Sequence, residues 1–442
     1  MTIADPPRAL SHPLPAGMRD LLPEEARRRR ALARRVLDHF ALHGYQLVTP
    51  PAFELAEVLE RGLGTLDPAD VLRFVEPGSG EVAALRPDMT PQIARMVATR
   101  LGREPRPIRL CYEGTIVRRR QGRARRHRQM PQAGVELYGA VGLQGTPALA
   151  AQAGDLEVLG LAASVVASLG LSRAVLDLGH ASIARSLLAP LPPVLAAEVS
   201  DALGQKDGAR IARLLQGRDG AATIAALSDL HGGGPGEVSG EALLDRAAPL
   251  LAGTAAEGPL GELRALWSAA RDELPAVLRL DLGEVRGFAY YTGAIFHILA
   301  PGPGEPIGAG GRYDDLLARF DAPMPAVGFA LYLDSVAWAR EAAGVIDEAP
   351  PSAVIAASSG DHEATQVTQV TRAVVAALRA RGVAAVVQPA EGAAEYAAAW
   401  HFTHLVELGP APDRATLRLT RRASGAVSEH TDAGALALAI NS

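Results

Sequence analysis

The chain has 442 residues, of which 48% are hydrophobic and 21% are charged, so it is long enough for two or three domains with full cores. Its formal net charge of -5 gives no global attraction to nucleic acid, so any polyanion contact must come from a local patch. Lys206 is the only lysine, which argues against a phosphate-loop or Schiff-base lysine, and the only cysteine, Cys111, excludes an intramolecular disulfide or a cysteine-based metal cluster and favours the cytoplasm.

The N-terminal residues 1–17 contain Pro6, Pro7, Pro13 and Pro15 without an apolar core, so we do not expect a signal peptide. The longest uncharged apolar run, 158–172, is shorter than the roughly 20 residues that a membrane span needs. We therefore expect a soluble, cytoplasmic protein that makes no membrane contact.

A helix and a short strand are predicted next. Pro23 and two glutamates open the helix, where its dipole favours acidic side chains, and apolar residues recur at helical spacing from Ala26 to His43 against an arginine-rich face. Gly44 ends the helix, and the segment 45–51 is typical of a strand that stops at proline. Taken alone, this pattern also fits a generic helix–strand pair.

Two polar residues stand out in the segment 85–95, which follows a turn at 77–80. They are Asp88, with a carboxylate, and Thr90, with a hydroxyl. Thr90 precedes Pro91, however, so it could instead cap the helix that begins there.

A hairpin is predicted from two extended segments, 109–113 and 132–139, which bracket a loop rich in arginine. The loop arginines are Arg118, Arg119, Arg120, Arg123, Arg125, Arg126 and Arg128. They could contact an anion, or they could form an ordinary solvated loop. Gln132 and Glu136 are four residues apart in an extended segment and so share one face, which could line a pocket or could be exposed to water.

The second half of the chain begins with a long helix predicted from Asp155, a strand over 174–180, and a helical pattern from 181 to about 278, broken by the glycine-rich run 232–236. His180 lacks suitably spaced partners for a metal, so we expect a structural role for it. Residues 294–300 suit a buried strand, and Gly310 and Gly311 suit a backbone that passes close to a ligand or another chain. Residues 348–352 read as a linker, after which strands and helices alternate as an α/β unit with few basic residues or exposed-looking aromatics for reading RNA.

Several of these motifs together resemble the histidyl-tRNA synthetase family and, more closely, its regulatory paralogues, the regulatory subunits of ATP phosphoribosyltransferase. The likeness is carried by Arg-Gly-Phe-Ala-Tyr-Tyr-Thr-Gly at 286–293, Pro-Ala-Gly-Met-Arg-Asp-Leu-Leu-Pro at 15–23, Asp-Met-Thr at 88–90 and Leu-Gly-His at 178–180, and it extends over about 15–338. It implies an α+β fold of the class II aminoacyl-tRNA synthetase type, with an antiparallel sheet flanked by helices. The implied domains are 1–346, with a helical insertion at about 181–278, and a small C-terminal α/β domain, 353–442, that resembles an anticodon-binding domain.

The resemblance also implies a histidine-binding site and a weakened ATP site. The implied histidine ligands are Asp88, Thr90, Gln132, Glu136, Arg286, Tyr290 and Tyr291, and the possible anion ligands are Arg118, Arg123 and Arg126. The synthetases have a Gly and an Arg where this chain has Tyr332 and Ser335, and a Ser hydroxyl cannot replace the planar, charged fork of Arg. Two more ATP-handling positions differ, since Arg120 replaces a Glu and Met130 replaces an aromatic residue.

The expected function follows from that contrast. The resemblance implies a catalytically inactive regulatory subunit, without metal or cofactor, that binds L-histidine and the short-form catalytic subunit of ATP phosphoribosyltransferase. It also implies a homodimer, built through the helix–strand element at 26–50, within a hetero-oligomer. The alternative is an active histidyl-tRNA synthetase, although tRNA is not an expected partner, and histidine-dependent pyrophosphate exchange would distinguish the two.

Overall fold

The computed structural model describes residues 14–63, 71–118, 127–139, 147–274, 277–285, 290–347, 349–357, 364–408 and 416–441, with the side chains of 147–151 and 364–369 excepted. The chain divides into two compact units, Met1–Val345 and Ile346–Ser442. Across these ranges, every helix is too short or too polar to cross a lipid bilayer.

The first unit contains a large sheet and a small one. Their strands are, in chain order, β1 Gln46–Leu47, β2 Phe53–Leu55, β3 Arg73–Val75, β4 Val82–Leu85, β5 Ile108–Val117, β6 Gln129–Tyr138, β7 Val175–His180, β8 His231–Gly232, β9 Val277–Asp281, β10 Ala294–Leu299, β11 Gly308–Arg312 and β12 Ala326–Tyr332. The large sheet has the order β1-β5-β6-β12-β11-β10-β7-β9-β8, and the small one has the order β2-β4-β3.

The class II synthetase-like fold expected from the sequence is confirmed, since the large sheet is mostly antiparallel and is flanked by helices. Two of its pairs, β1 with β5 and β7 with β9, are parallel, which makes the sheet mixed. The strand predicted over 45–51 is much shorter than expected, since only Gln46 and Leu47 pair with β5. Pro50 and Pro51 have no N–H to donate, so the pairing stops before them.

The helices of the first unit are α1 Pro23–Leu42, α2 Ala56–Leu63, α3 Thr90–Met96, α4 Pro147–Ser168, α5 Ala181–Leu188, α6 Pro193–Gly204, α7 Gly208–Leu214, α8 Ala221–Ala226, α9 Gly240–Leu251, α10 Glu257–Ala270 and α11 Leu333–Ala342. Helix α1 buries its apolar residues, and α4 buries residues on most of its sides, in a core on one face of the large sheet. There Phe40 of α1 meets Phe329 of β12 edge to face at 5.7 Å between ring centroids. The opposite face of β5, β6 and β10 is covered by a second cluster that includes five tyrosines.

The helical insertion corresponds to α5 through α10, which lie between β7 and β9 in the chain. Within it, α7 begins after Asp207, whose carboxylate accepts from the Arg210 N–H, and α9 begins after Ser239, whose hydroxyl accepts from the Ala242 N–H. The insertion returns to the sheet through β8, which pairs with β9. It is therefore attached to the strand that leads into the 281–293 segment.

Close strand packing explains the glycines of the central strands. A Cβ on Gly134 of β6 would lie 2.5 Å from both Phe329 O and the Tyr112 hydroxyl oxygen, and a Cβ on Gly328 of β12 would coincide with the Glu136 carboxylate. Gly328, which lies directly opposite Glu136 on β12, must therefore lack a side chain for the Glu136 carboxylate to fit.

The second unit is a five-stranded sheet with helices. Its elements are β13 Ser352–Ala357, α12 Ala364–Ala380, β14 Ala384–Pro389, α13 Ala393–Ala399, β15 His404–Leu408, β16 Leu417–Arg421, β17 Val427–His430 and α14 Ala433–Asn441, with strand order β14-β13-β15-β16-β17. The first three strands in the chain are parallel, as their α/β alternation predicts, whereas β16 and β17 continue antiparallel.

Candidate functional site

A cluster of buried polar side chains lies where α3 meets the face of β6 opposite α1. Asp88 and Thr90 come from the start of α3, and Gln132 and Glu136 come from β6. Their exposed fractions are only 2%, 6%, 2% and 1%, respectively. The interpretation of Gln132 and Glu136 as water-facing strand residues is therefore wrong, because both lie in the interior. Buried polar groups in such number need partners, and they are the natural start of a binding site.

The cluster is held by hydrogen bonds between distant parts of the chain. The Thr90 hydroxyl donates to Glu136 Oε1 at 2.7 Å, and the Tyr290 hydroxyl donates to Asp88 Oδ2 at 2.8 Å. The Tyr313 hydroxyl donates to the other Glu136 oxygen, Oε2. Gln132 hydrogen-bonds Asp88, and among the described residues its own amide oxygen has no hydrogen-bond partner. That oxygen can accept from a ligand.

Thr90 does not cap its helix. The residue at the N-cap of α3 is Met89, no side chain caps this end, and Thr90 is already the first helical residue. Its hydroxyl points instead to Glu136. The capping interpretation of Thr90 is therefore wrong, because the tertiary contact with β6 takes the hydroxyl that a cap would use.

Burial sets the charge state of the two acids. It raises the pKa of Asp88, while hydrogen bonds from Tyr290 and Gln132 and the charge of Arg118 partly oppose that rise. Burial also raises the pKa of Glu136 well above its usual range, the nearby charge of Asp88 adds to this, and the hydrogen bond from Thr90 opposes it. Two crowded carboxyl groups in a dry pocket favour a cationic ligand, which would stabilise both of them in the ionised form.

Three tyrosines wall this pocket. The ring of Tyr290 lies 4.9 Å from that of Tyr291 and 5.5 Å from that of Tyr313, measured between centroids. Burial raises the pKa of Tyr290 and Tyr291 well above the usual value, so their hydroxyls stay neutral and can donate hydrogen bonds. The side chains of Tyr290 and Tyr291 thus lie beside Asp88 and Glu136, although they follow them by more than 150 positions in the chain.

Tyr313 was missed by the sequence analysis. It follows Gly310-Gly311-Arg312, a segment that drew attention only for its glycines, and its hydroxyl contacts Glu136. Arg312 beside it pairs with Asp155 of α4 at 2.8 Å and with Asp314 at 3.1 Å. Burial raises the pKa of Asp155 to about 6 despite that pairing. These ion pairs hold the chain on either side of Tyr313.

The arginines of the predicted anion site are only partly described. Arg118 donates from Nε to Pro87 O at 3.2 Å, next to Asp88. Arg123 and Arg126 of the loop, and Arg286 of the histidine motif, lie outside the described residues. Of the altered ATP positions, Tyr332 ends β12, Ser335 lies in the first turn of α11, and Met130 is buried on β6. Asp334, which directly precedes Ser335 in the sequence, forms an ion pair with Arg19 at 2.7 Å.

A cleft of about 490 Å³ lies beside Tyr291. It is lined by residues of α5, of α6 and of the segments around β10, namely Ala181, Ala184, Arg185, Leu188, Ala189, Leu191, Pro193, Ala196, Ala197, Ser200, Glu284, Val285, Tyr291 and Ile295. The walls are mainly apolar, with Arg185 and Glu284 as the charged residues. Residues of the helical insertion, on α5 and α6, therefore line the same cleft as Tyr291 of the pocket wall.

Metal-binding geometry is absent from the part of the chain that the structure describes, where no three His, Cys, Asp or Glu side chains are grouped to hold an ion. His180 has a structural role there. Its Nδ1 accepts from the Ser182 N–H and so caps α5, and its Nε2 lies 3.1 Å from Glu262.

Comparison with known proteins gives consistent relationships. The family model described as histidyl-tRNA synthetase matches residues 17–336. An ATP phosphoribosyltransferase regulatory subunit of Anaeromyxobacter sp. (strain Fw109-5) is 43% identical over 336 residues, which is 75% of this chain and 93% of that protein. The regulatory subunit of Syntrophotalea carbinolica is 32% identical and covers 95% of this chain and 94% of its own length.

A solved structure shows the same fold. The ATP phosphoribosyltransferase regulatory subunit/histidyl-tRNA synthetase from Bacillus halodurans C superposes with a TM-score of 0.72, at 24% identity, over 90% of this chain and 99% of that one. The match to the Anaeromyxobacter protein covers nearly all of that relative but only three quarters of this chain, whereas the Syntrophotalea and Bacillus matches take in most of it.

Proposed function

The chain belongs to the family of ATP phosphoribosyltransferase regulatory subunits, within the histidyl-tRNA synthetase fold, and from this premise we propose that it senses L-histidine and controls a short-form catalytic subunit. The observation that carries the proposal is the buried pair of carboxyl groups, Asp88 and Glu136, surrounded by hydroxyl donors. This arrangement suits a small cationic ligand with N–H groups to donate.

Each part of histidine has a partner in the proposed pocket. The α-ammonium group is assigned to Asp88 and Thr90, which present a carboxylate and a hydroxyl. The imidazole is assigned to Glu136 and Tyr291, one for each ring nitrogen. Such a pocket rejects apolar ligands of the same shape, because each unmatched polar group would stay buried without a partner. In the family pattern Arg286 would hold the ligand carboxylate.

Adenylation of histidine is not part of the proposal. Activation requires ATP to be held and the charge of its transition state to be stabilised, and Arg supplies that in the synthetases. Here Ser335 takes the place of this Arg, Arg120 replaces a Glu, and Met130 is buried where the synthetases offer an aromatic platform. Binding energy that drives no reaction can instead shift a conformational equilibrium, to the extent that histidine prefers one conformation.

Feedback control is then the natural use of the pocket. If histidine weakens substrate binding by the catalytic partner, those substrates must weaken histidine binding by the same factor, because coupling between binding sites is reciprocal. We further propose that the short catalytic subunit, which lacks a regulatory domain of its own, needs this chain for activity.

A homodimer through α1 and β1, within a larger hetero-oligomer, completes the proposal. Apolar side chains are exposed on α1, on β1 at the sheet edge and on the small sheet. They are Leu42, Leu47, Phe53, Phe74, Val75 and Val82. Phe53 and Phe74 of the small sheet pack edge to face, with 5.2 Å between their ring centroids. Exposed apolar side chains of this kind support a contact with another protein chain. Because the family forms its dimer through this element, we assign the contact to a second copy of the chain.

Two measurements test the proposed function. Calorimetric titration of the full chain with L-histidine should show saturable binding, and no binding would refute the sensor. Mixing the chain with the short catalytic subunit from the same genome should give a complex by size-exclusion chromatography and phosphoribosyl transfer that histidine changes. Absence of both a complex and any change in activity would refute the regulatory role, and histidine-dependent pyrophosphate exchange would favour the alternative, an active histidyl-tRNA synthetase.

A further inference from the structure

The segment that carries Tyr290 and Tyr291 is hydrogen-bonded to the helical insertion. These bonds lie at the C-terminal end of the segment. Arg185 of α5 donates from its guanidinium to Tyr291 O at 2.7 Å. Ser182 of the same helix donates from Oγ to Thr292 O at 3.0 Å. Because both acceptors are backbone carbonyls, these bonds fix the path of the chain at the wall of the pocket, whatever its side chains do.

The insertion also contacts the chain directly after β9, at Leu282 and Gly283. The Leu282 N–H donates to Leu230 O of the insertion at 3.0 Å, directly after β8 has paired with β9. A Cβ on Gly283 would lie only 2.7 Å from Leu227 O, so the insertion touches the backbone here. The insertion therefore contacts the chain both at 282–283 and at 291–292.

Lys206 makes the charged contact in this attachment. It lies in the turn between α6 and α7 and has a left-handed backbone with φ of 57°, which side chains other than those of Gly, Asn and Asp rarely adopt. Its ammonium donates to both carboxylate oxygens of Asp281, the last residue of β9. Asp281 is buried and also accepts from the Gly283 N–H at 3.0 Å.

The surroundings of Asp281 show why a cation is needed there. Burial and the charges of Asp281 and Glu284 raise the pKa of the neighbouring Asp177 to about 6, and the charges of Arg279 and Lys206 act against that rise. Three carboxyl groups of the sheet side thus converge. Arg279 belongs to the same strand as Asp281, so Lys206 is the cation that comes from the insertion.

We infer that Lys206 is a positioning residue, and that its ion pair with Asp281 couples the position of the helical insertion to occupancy of the histidine pocket. The inference rests on the proposed histidine binding and adds the route by which it is transmitted. In the proposed pocket histidine contacts Tyr291, Arg185 of the insertion holds the Tyr291 carbonyl, and Lys206 ties the same insertion to Asp281 at the end of β9. Since coupling is reciprocal, loosening this contact should weaken histidine binding from a distance.

Substitution of Lys206 provides the first test, by calorimetric titration with L-histidine. Lys206→Met keeps the length of the side chain but removes the charge, and it should raise the Kd at least about fivefold, the lower end of common coupling factors. Lys206→Arg keeps the charge and should stay within about twofold of the wild type. The matched control is Arg264→Met, which removes the exposed Arg264–Asp245 pair inside the insertion, 2.8 Å in length, and should leave the Kd unchanged.

Each outcome decides the matter. An unchanged Kd in Lys206→Met, or equal losses in Lys206→Met and Arg264→Met, would overturn the inference. Thermal melting of all three variants separates a general loss of stability from a loss of binding, because the two methionine variants each remove one ion pair of the insertion.

The single lysine permits a second test that needs no substitution. Reductive methylation with ¹³C-formaldehyde labels only the Lys206 ε-amine and the N-terminal amine, and it preserves the positive charge. Saturating histidine should shift the Lys206 signal or change its rate of modification in the full-length chain. An unchanged signal in a chain that binds histidine would overturn this inference alone, whereas absence of histidine binding would refute the proposed function itself.

Discussion

The two halves of the site differ in how their polar groups are used. On the amino-acid side, Asp88, Thr90, Glu136 and Tyr290 are buried and joined by hydrogen bonds from three separate parts of the chain. On the side where the synthetases hold ATP, Ser335 replaces an arginine and Arg118 donates to a backbone carbonyl of its own protein. The proposed amino-acid half is thus joined by hydrogen bonds, whereas the half that corresponds to the ATP site of the synthetases differs from them in sequence.

We propose that this difference reflects which part of such a site can change without loss of the fold. The amino-acid half is embedded in the sheet, where Gly134 and Gly328 leave room for the side chains of β6 and its neighbours, so a change there disturbs packing. The ATP half uses side chains at the start of a helix and in a loop, where a replacement needs little adjustment. The predictions below probe this contrast, from the largest expected effect to the smallest.

Gly328→Ala should cause the largest loss. Its Cβ would coincide with the Glu136 carboxylate, so either β12 or Glu136 must move. We expect a loss of about 1–3 kcal/mol in the free energy of unfolding, measured by urea denaturation, together with loss of histidine binding. The matched control is Gly261→Ala in α10, where a Cβ meets nothing within 4 Å, and which should stabilise the protein by about 0.5–1 kcal/mol. Equal stability of the two variants would contradict the packing argument.

Glu136→Ala should weaken histidine binding by about 1–3 kcal/mol, because an imidazole N–H would be left without its acceptor in the pocket. Isothermal calorimetry measures this change directly. Glu157→Gln serves as the control, since Glu157 pairs with Arg109 at 2.7 Å on the other face of the sheet and should affect stability without affecting binding. Unchanged affinity in Glu136→Ala would remove Glu136 from the site.

Histidine binding should release protons. In the free protein burial raises the pKa of Glu136 and of Asp88, which favours their protonated form, whereas a bound cation favours their ionised form. Affinity should therefore fall as the pH decreases below these raised pKa values, where protonated acids no longer attract the ammonium. Titration in buffers with different ionisation enthalpies measures the release, and Glu136→Gln should reduce it. A release that Glu136→Gln does not change would contradict the assignment to Glu136.

Ser335→Arg should have the smallest effect. It restores one charged group to the ATP half, at a half-buried position in the first turn of α11, and should change stability by no more than about 0.5 kcal/mol. Pyrophosphate exchange with histidine should remain at background in this variant and in the wild type, because Arg120 and Met130 are also altered. Histidine-dependent exchange in either protein would show that the ATP half is functional after all.

The sequence by itself determined the features that depend on local spacing. The period-two pattern placed Gln132 and Glu136 on one face, the helical pattern located the insertion between β7 and β9, and residue identities at 332 and 335 separated the two halves of the site. It did not reveal β16, β17 and α14, because Arg418 and Arg421 interrupt the apolar pattern of β16, and the short β17 is exposed along most of its length.

Only the tertiary structure decided which of these groups meet. Thr90 donates to Glu136, which is 46 positions away in the sequence, and Tyr313 donates to the same carboxylate from 177 positions away. Lys206 and Asp281, which form an ion pair, are 75 positions apart. No local period encodes such separations. They follow from the order of strands in the sheet, which places β6 beside β12 and β11 next to it, and from burial, which favours a hydrogen-bond partner for polar groups.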